Sequence, residues 1–285
     1  MTMTTHARGD EAMWPGRQMQ SGVAASLTVF CNEVYKSLLH AWAARKGMAA
    51  EMPLFIFFYF IMNMYMGRGE IRHELLAPTL IGLTAIMFFH QQLNRVFWGV
   101  LGEIQTGTLE QLYLSPLPAS VLVLGRQVAT TLESIVIALL LYLAAAVIAG
   151  VTFPFAPEAL VPLAAIIVGS AGFSLIVAGL TLLFKRIEML VELLFGMAFI
   201  VGGVFLPLDQ LPDWMAVIGR LLFPITQGIE VMREILLEGH SLGTLQVNWG
   251  LGWLLIQPIA FLVAGTLFFR ASERIAKRKG TLARY

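Results

Sequence analysis

SIVIALLLYLAAAVIAGVTFPFAP (residues 134–157) and, after the single acid Glu158, ALVPLAAIIVGSAGFSLIVAGLTLLF (residues 159–184) decide the architecture. Each stretch is charge-free over more than the ~20 residues that an α-helix needs to cross a hydrocarbon core. Working outward with the same test, residues 75–94 lie between Glu74 and Arg95, and residues 239–269 precede Arg270. The start of the latter, His240 to Asn248, is polar, so its membrane-embedded part is expected at 250–269. Two shorter stretches, 52–67 and 193–208, supply only about 24 Å of helix each. They need interfacial flanks, with Glu51 and Glu192 at the boundary and Arg68 extending its head to the surface. The expectation is an all-α membrane protein with six transmembrane helices. Composition agrees: 58% of the 285 residues are hydrophobic, 13% are charged and mean hydropathy is +0.76, against roughly 25% charge in a soluble domain. So little charge cannot cover a water-soluble globule of this size. A net charge of +1 gives no footing for a nucleic-acid partner, and the single Cys31 excludes an intrachain disulfide framework or a cysteine redox pair.

Lysine and arginine placement sets the expected orientation. With both termini cytoplasmic, all of the 19 Lys and Arg fall inside except Arg68, Arg72, Arg220 and Arg233. Those four share the outer side with Glu70, Glu74, Glu158, Asp209, Asp213, Glu230, Glu234 and Glu238. Residues 1–25 are polar, without the apolar core of a secretory signal, and read as a disordered cytoplasmic tail. Leu27, Phe30, Val34, Leu38 and Trp42 then recur at helical spacing, so residues 26–50 are expected to form an amphipathic helix along the cytoplasmic interface. The external segment 209–240 contains two apolar runs, 214–219 and 221–229, each too short to cross and interrupted by Arg220 and Pro224. Two short helices dipping into the outer leaflet, a re-entrant pair before the last span, fit this pattern. A basic cytoplasmic tail, 271–285, closes the six-span domain of residues 51–270.

The longest cytoplasmic connection, RVFWGVLGEIQTGTLEQLYLSPLPASVLVLGR (residues 95–126), is not a plain polar linker. Gly107 permits a sharp turn, Thr108 is a good N-cap, and Glu110 in the first turn suits the positive helix end. Leu109, Leu112 and Tyr113 form an apolar stripe before Pro116 and Pro118 stop the helix. A helix of about two turns held on two membrane rods can pass force from a soluble partner to the spans. A plain loop helix shielding its stripe against lipid headgroups explains the same residues.

The run Glu103-Ile-Gln-Thr-Gly-Thr-Leu-Glu-Gln-Leu-Tyr-Leu-Ser-Pro116, closed by Gly125-Arg126, resembles the first intracellular loop and coupling helix of the type-2 ATP-binding-cassette exporter permeases. The layout agrees with that family from the interfacial helix through six spans to the basic tail. The resemblance implies a permease subunit of an ATP-driven exporter in the prokaryotic cytoplasmic (inner) membrane, working by alternating access. It also implies a second permease subunit, identical or paralogous, seated with this one on two cytoplasmic ATPase subunits. The coupling role then falls to Glu103, Gly107, Thr108, Leu109, Glu110, Gln111, Leu112, Ser115 and Pro116. No G-x-x-x-x-G-K-[ST] phosphate loop occurs, so ATP and magnesium belong to the partner ATPase and no cofactor is expected in this chain. The resemblance names no cargo; aliphatic and aromatic spans point to an apolar or amphiphilic one, a drug, lipid or glycoconjugate.

Pathway candidates are Glu133, an ionisable group at the start of a span, and His90, which ends an aromatic run. Glu133 also reads as an interfacial carboxylate paired with Lys185, Arg186 or another base. Glu188 and Glu192 share a helix face at the inner mouth of the fifth span or mark its start. Phe199, Phe205 and Leu206 could form an apolar gate or serve as packing, and Ser170, Ser174 and Ala178 form a small-residue packing stripe. The competing function is an intramembrane enzyme acting on a lipid. His73-Glu74 opens an H-E-x-x-H motif, but Ala77 stands where the second histidine belongs, and Ser170 has no histidine on a later span to activate it.

Overall fold

In a computed structural model of the protein, the described residues are 45–107, 119–244 and 250–279, with isolated positions between 28 and 39. The helices are α1 (Arg45–Met66), α2 (His73–Thr106), α3 (Ala119–Ala149), α4 (Leu160–Phe184), α5 (Glu188–Val201), α6 (Asp213–Leu222), α7 (Pro224–Leu237) and α8 (Gly250–Lys279). Short 3-10 turns, Pro157–Ala159 and Leu208–Gln210, complete the regular structure, and no strand occurs among the described residues. The protein is an all-helical, multi-pass membrane protein.

Four helical segments are long and apolar enough to cross a bilayer: His73–Thr106, Gly125–Ala149, Pro157–Phe184 and Gly250–Arg278. The other two of the six expected spans fall on Met52–Met66 and α5, both too short to meet that length, whereas α6 and α7 meet it together as a bent pair, so the described residues carry four such segments, or five counting the pair. Helix ends differ from those drawn at charged residues. Residues 45–50, assigned to the interfacial helix, belong to α1 and continue directly into the first apolar stretch. Thr28, Cys31, Asn32, Tyr35, Lys36 and Leu39 are helical and exposed; the apolar positions Leu27, Phe30, Val34, Leu38 and Trp42, like the 1–25 tail, lie outside the described residues. The connection drawn at 95–126 is largely helix, because α2 continues to Thr106 and residues 119–126 belong to α3. The 271–285 tail is helical to Lys279, within α8.

Helix α4 is the hub, with α8, α2 and α7 packed around it. Its contact with α8 depends on glycine: a Cβ at Gly172 would lie 2.3 Å from the Leu262 nitrogen, and one at Gly265 would lie 2.1 Å from the Gly172 carbonyl oxygen. Ser170, Ser174 and Ala178 are buried on α4, as a packing stripe requires. The close backbone approach itself uses the glycines interleaved with them.

Helices α6 and α7 meet at 107°. At the bend, Phe223 is fully buried, with ring centroids 6.3 Å from Phe89 and 6.2 Å from Phe173. Both partners lie deep along α2 and α4, so the apex sits well inside the bundle. The pair leaves again where α4 begins: Leu242 N donates to Glu158 Oε2 at 2.5 Å. Three devices fix it. Arg220 and Glu230 form a two-point pair, Nη2 to Oε1 at 3.0 Å and Nε to Oε2 at 3.3 Å. From α8, Gln257 Nε2 donates to the Arg220 carbonyl at 2.6 Å and Trp253 Nε1 to the same oxygen at 3.2 Å, serving a helix end that has no intrahelical partner. Arg233, 8% exposed, donates to Gly203 O at 2.7 Å, Val204 O at 2.6 Å and Pro78 O at 2.9 and 3.1 Å. It thereby satisfies the non-helical backbone that follows α5 and ties that break to the first turns of α2.

The crossing predicts opposite outcomes for two glycines. Gly172→Ala should lower unfolding stability in detergent by about 1–3 kcal/mol, because backbone must move to admit the methyl group. Gly99→Ala, where a Cβ meets nothing within 4 Å, should raise it by about 0.5–1 kcal/mol. Thermal unfolding of the two variants checks both signs.

Candidate functional site

The connection between α2 and α3 starts at Gly107, whose φ of 68° is the left-handed geometry glycine adopts without penalty. Its N–H donates to Ile104 O at 3.4 Å, closing α2. Of the nine expected coupling residues, Glu103 and Gly107 are described, whereas Thr108, Leu109, Glu110, Gln111, Leu112, Ser115 and Pro116 lie outside the described residues.

Below this turn, α2 and α3 are joined by a ladder of polar contacts in antiparallel register. Glu103 and Arg126 form an ion pair at the loop end. Deeper, Arg95 Nη1 lies 2.5 Å from Glu133 Oε1, with the Glu133 side chain 6% exposed. Gln92 Nε2 then donates to Thr131 Oγ1 at 3.0 Å. Gln127 on α3 extends the ladder to the hub, donating to Ser174 Oγ on α4 at 2.9 Å. On the adjoining stripe of α2, Val96, Val100 and Ile104 pack with Ala178, Leu182 and Phe269 from α4 and α8. The two rods that carry the loop are therefore locked to each other and to the hub.

Glu133 takes the paired reading, with Arg95 as its base rather than Lys185 or Arg186. This pairing also explains why α2 continues past Arg95: the charge that seemed to end the span is met by the neighbouring helix. Sequence reading gave neither Arg95 nor Arg126 a role in the site, because a cross-helix pair has no local spacing. The available signal was an acid and a base, Glu103 with Arg126 and Arg95 with Glu133, at matching distances on either side of a midpoint near residue 114.

The other candidates form a separate group around α5. His90 stacks on Phe195 with ring centroids 4.1 Å apart, approaches Asn94 Nδ2 at 2.6 Å and lies 3.9 Å from Glu192 Oε2. Glu188 and Glu192 are exposed. Phe199 and Phe205 come together edge to face at 4.9 Å, joined by Phe58 of α1 at 5.8 and 6.3 Å. Leu206 stays 46% exposed, outside that aromatic contact. Among the described residues, no three His, Cys, Asp or Glu side chains are gathered as a metal ion would require.

The profile of one protein family, described as ABC-2 family transporter protein, matches residues 74–267. The chain belongs to that family. The match runs from the first turn of α2 to the packed middle of α8 and so includes the ladder, the hub and the α6–α7 pair. No curated protein matches the chain. As an ABC-2 transporter, it is a membrane subunit of a transport system.

The ladder predicts charge complementarity. Glu103→Arg alone should cost about 1–3 kcal/mol of stability, since it sets like charges against each other at a half-buried site. Adding Arg126→Glu should recover most of that loss. A double-mutant cycle on thermal unfolding measures the coupling directly.

Proposed function

We propose that this ABC-2 transporter is the permease subunit of an ATP-driven exporter, with the α2–α3 pair as its lever and the loop at 107–118 as the contact for a separate cytoplasmic ATPase. The clamped base of that loop is the observation that carries the reading. Two helices joined at Glu103–Arg126 and Arg95–Glu133 move together, so a push on the connecting turn reaches α4 instead of being absorbed by slack chain. A free polar linker would need no such base.

In this reading both termini and the loop face the cytoplasm of a prokaryotic cell, and α6–α7 is a re-entrant pair opening to the outside. Two permease subunits sit on two ATPases. ATP and magnesium bind to the ATPases, whose closure shifts the permease pair between two packings and exposes the path outward. The contacts on this side are Thr108, Leu109, Glu110, Gln111, Leu112, Ser115 and Pro116, with the helix that starts near residue 26 beside them. The cargo is apolar or amphiphilic, a drug, lipid or glycoconjugate. Phe199, Phe205 and Leu206 at the end of α5 serve as its gate, and Glu133 works in the ladder rather than in the path.

Glu110→Lys provides the test. It should leave membrane insertion and permease assembly intact but lower substrate-stimulated ATP turnover of the reconstituted complex by about fivefold or more. Undiminished turnover in a complex that carries the lysine would remove the loop from the coupling path. Failure of any Walker-motif ATPase to co-purify with the full chain would remove the exporter reading altogether.

A further inference from the structure

Helix α8 has two opposite faces with different fates. Leu254, Phe269, Ser272 and Ala276 are buried along one side, where Gly265 touches α4. Along the other side, at 100° per residue, Ile256, Ile259, Val263 and Leu267 fall on one stripe and are 61, 59, 53 and 61% exposed. Arg270, Arg274 and Arg278 continue that same stripe, and all three are exposed. The face thus changes abruptly from purely aliphatic to purely cationic. Glu273, the one acid between Arg270 and the C-terminus, is engaged by Lys277 Nζ at 2.6 Å. It does not neutralise the arginines.

We infer that this face binds an anionic phospholipid, its acyl chains along Ile256–Leu267 and its phosphate at Arg270, Arg274 and Arg278. The lengths agree: the aliphatic stripe extends for about 16 Å of helix, close to half of a ~30 Å hydrocarbon core and so to one leaflet. The charges agree as well, because guanidinium groups match phosphate oxygens in planar, two-point geometry. A soluble ATPase cannot cover the aliphatic part, which lies at hydrocarbon depth. A second copy of the chain meeting this face about a twofold axis would set the three arginines against their own counterparts, a like-charge contact with nothing to offset it. General attraction of basic residues to the cytoplasmic side explains charge near the end of the helix. It does not call for a lipid retained in preference to others, and the experiment turns on that difference.

The test uses the purified full chain in nanodiscs containing equal amounts of phosphatidylglycerol and phosphatidylcholine, followed by native mass spectrometry of retained lipid. The wild type should retain phosphatidylglycerol in preference to phosphatidylcholine. Replacement of Arg270, Arg274 and Arg278 by Gln, one at a time and together, should reduce that preference by about fivefold per arginine removed. Replacement of all three by Lys, which keeps the charge but not the two-point geometry, should leave a preference weaker than that of the wild type and stronger than that of the Gln triple variant. Because all three side chains are exposed, the variants should fold; should one fail, the wild type still decides, since its preference should weaken as salt rises. Equal retention of the two lipids by the wild type overturns the inference, as does a preference that survives the Gln triple variant. Loss of permease pairing in the Gln variants with lipid preference unchanged would overturn it too, assigning the face to protein.

Discussion

Inside a hydrocarbon layer no water is available, so every charge and every backbone break must be satisfied by another part of the chain. This constraint shapes the molecule more than hydrophobic burial does, because lipid offers apolar side chains nearly what a protein core offers. Its strongest expression is Arg233. A buried guanidinium alone would be prohibitive, and so would the bare carbonyls of Gly203 and Val204 after α5 ends. Placed together they resolve each other, and the added bond to Pro78 O pins three elements at one point. Gln257 does the same for the end of α6. The polar contacts in the bundle thus form a set of cross-links between helices that lipid alone would not hold in register.

The same logic divides the molecule into a firm part and a looser one. Helices α2, α3, α4, α7 and α8 share the hub, the glycine crossing and the ladder. Helix α5 is short and ends in irregular backbone, and its aromatic contact with α1 through Phe58 and Phe199 is made of side chains without directional bonds. In the proposed exporter cycle the firm part would carry force from the ATPase, and the α1–α5 region would be where a path can open.

Fold class was legible in the sequence because membrane crossing needs long charge-free runs, and α4 and α8 show them plainly. Charge also misled at the boundaries. Arg95 and Glu133 each looked like the end of a span, yet they neutralise one another and both helices continue. That pairing joins residues far apart in the chain, which no local periodicity can reveal. The α6–α7 pair was readable from Arg220 and Pro224 interrupting apolar runs. What holds it, Arg233 on the carbonyls of another helix end, was not, because backbone acceptors carry no residue signature. Within the candidate site, Glu103 and Gly107 were singled out by resemblance, and Arg126, which pairs with Glu103, closed the quoted run without a role assigned. The small-residue stripe on α4 was read correctly as packing, although Gly172 rather than the serines makes the closest approach.

The central claim is that α2 and α3 move as one body beneath the proposed ATPase contact. Spin labels at Trp98 and Val128, both exposed, in a Cys31→Ser background would report the spacing between the two helices in the assembled transporter, without nucleotide and with ATP bound. The account predicts that this intrasubunit distance stays constant to within about 2 Å, while the distance between Val128 labels on the two permease subunits changes. A spacing between α2 and α3 that changes with nucleotide, as the distance between subunits stays fixed, would contradict it.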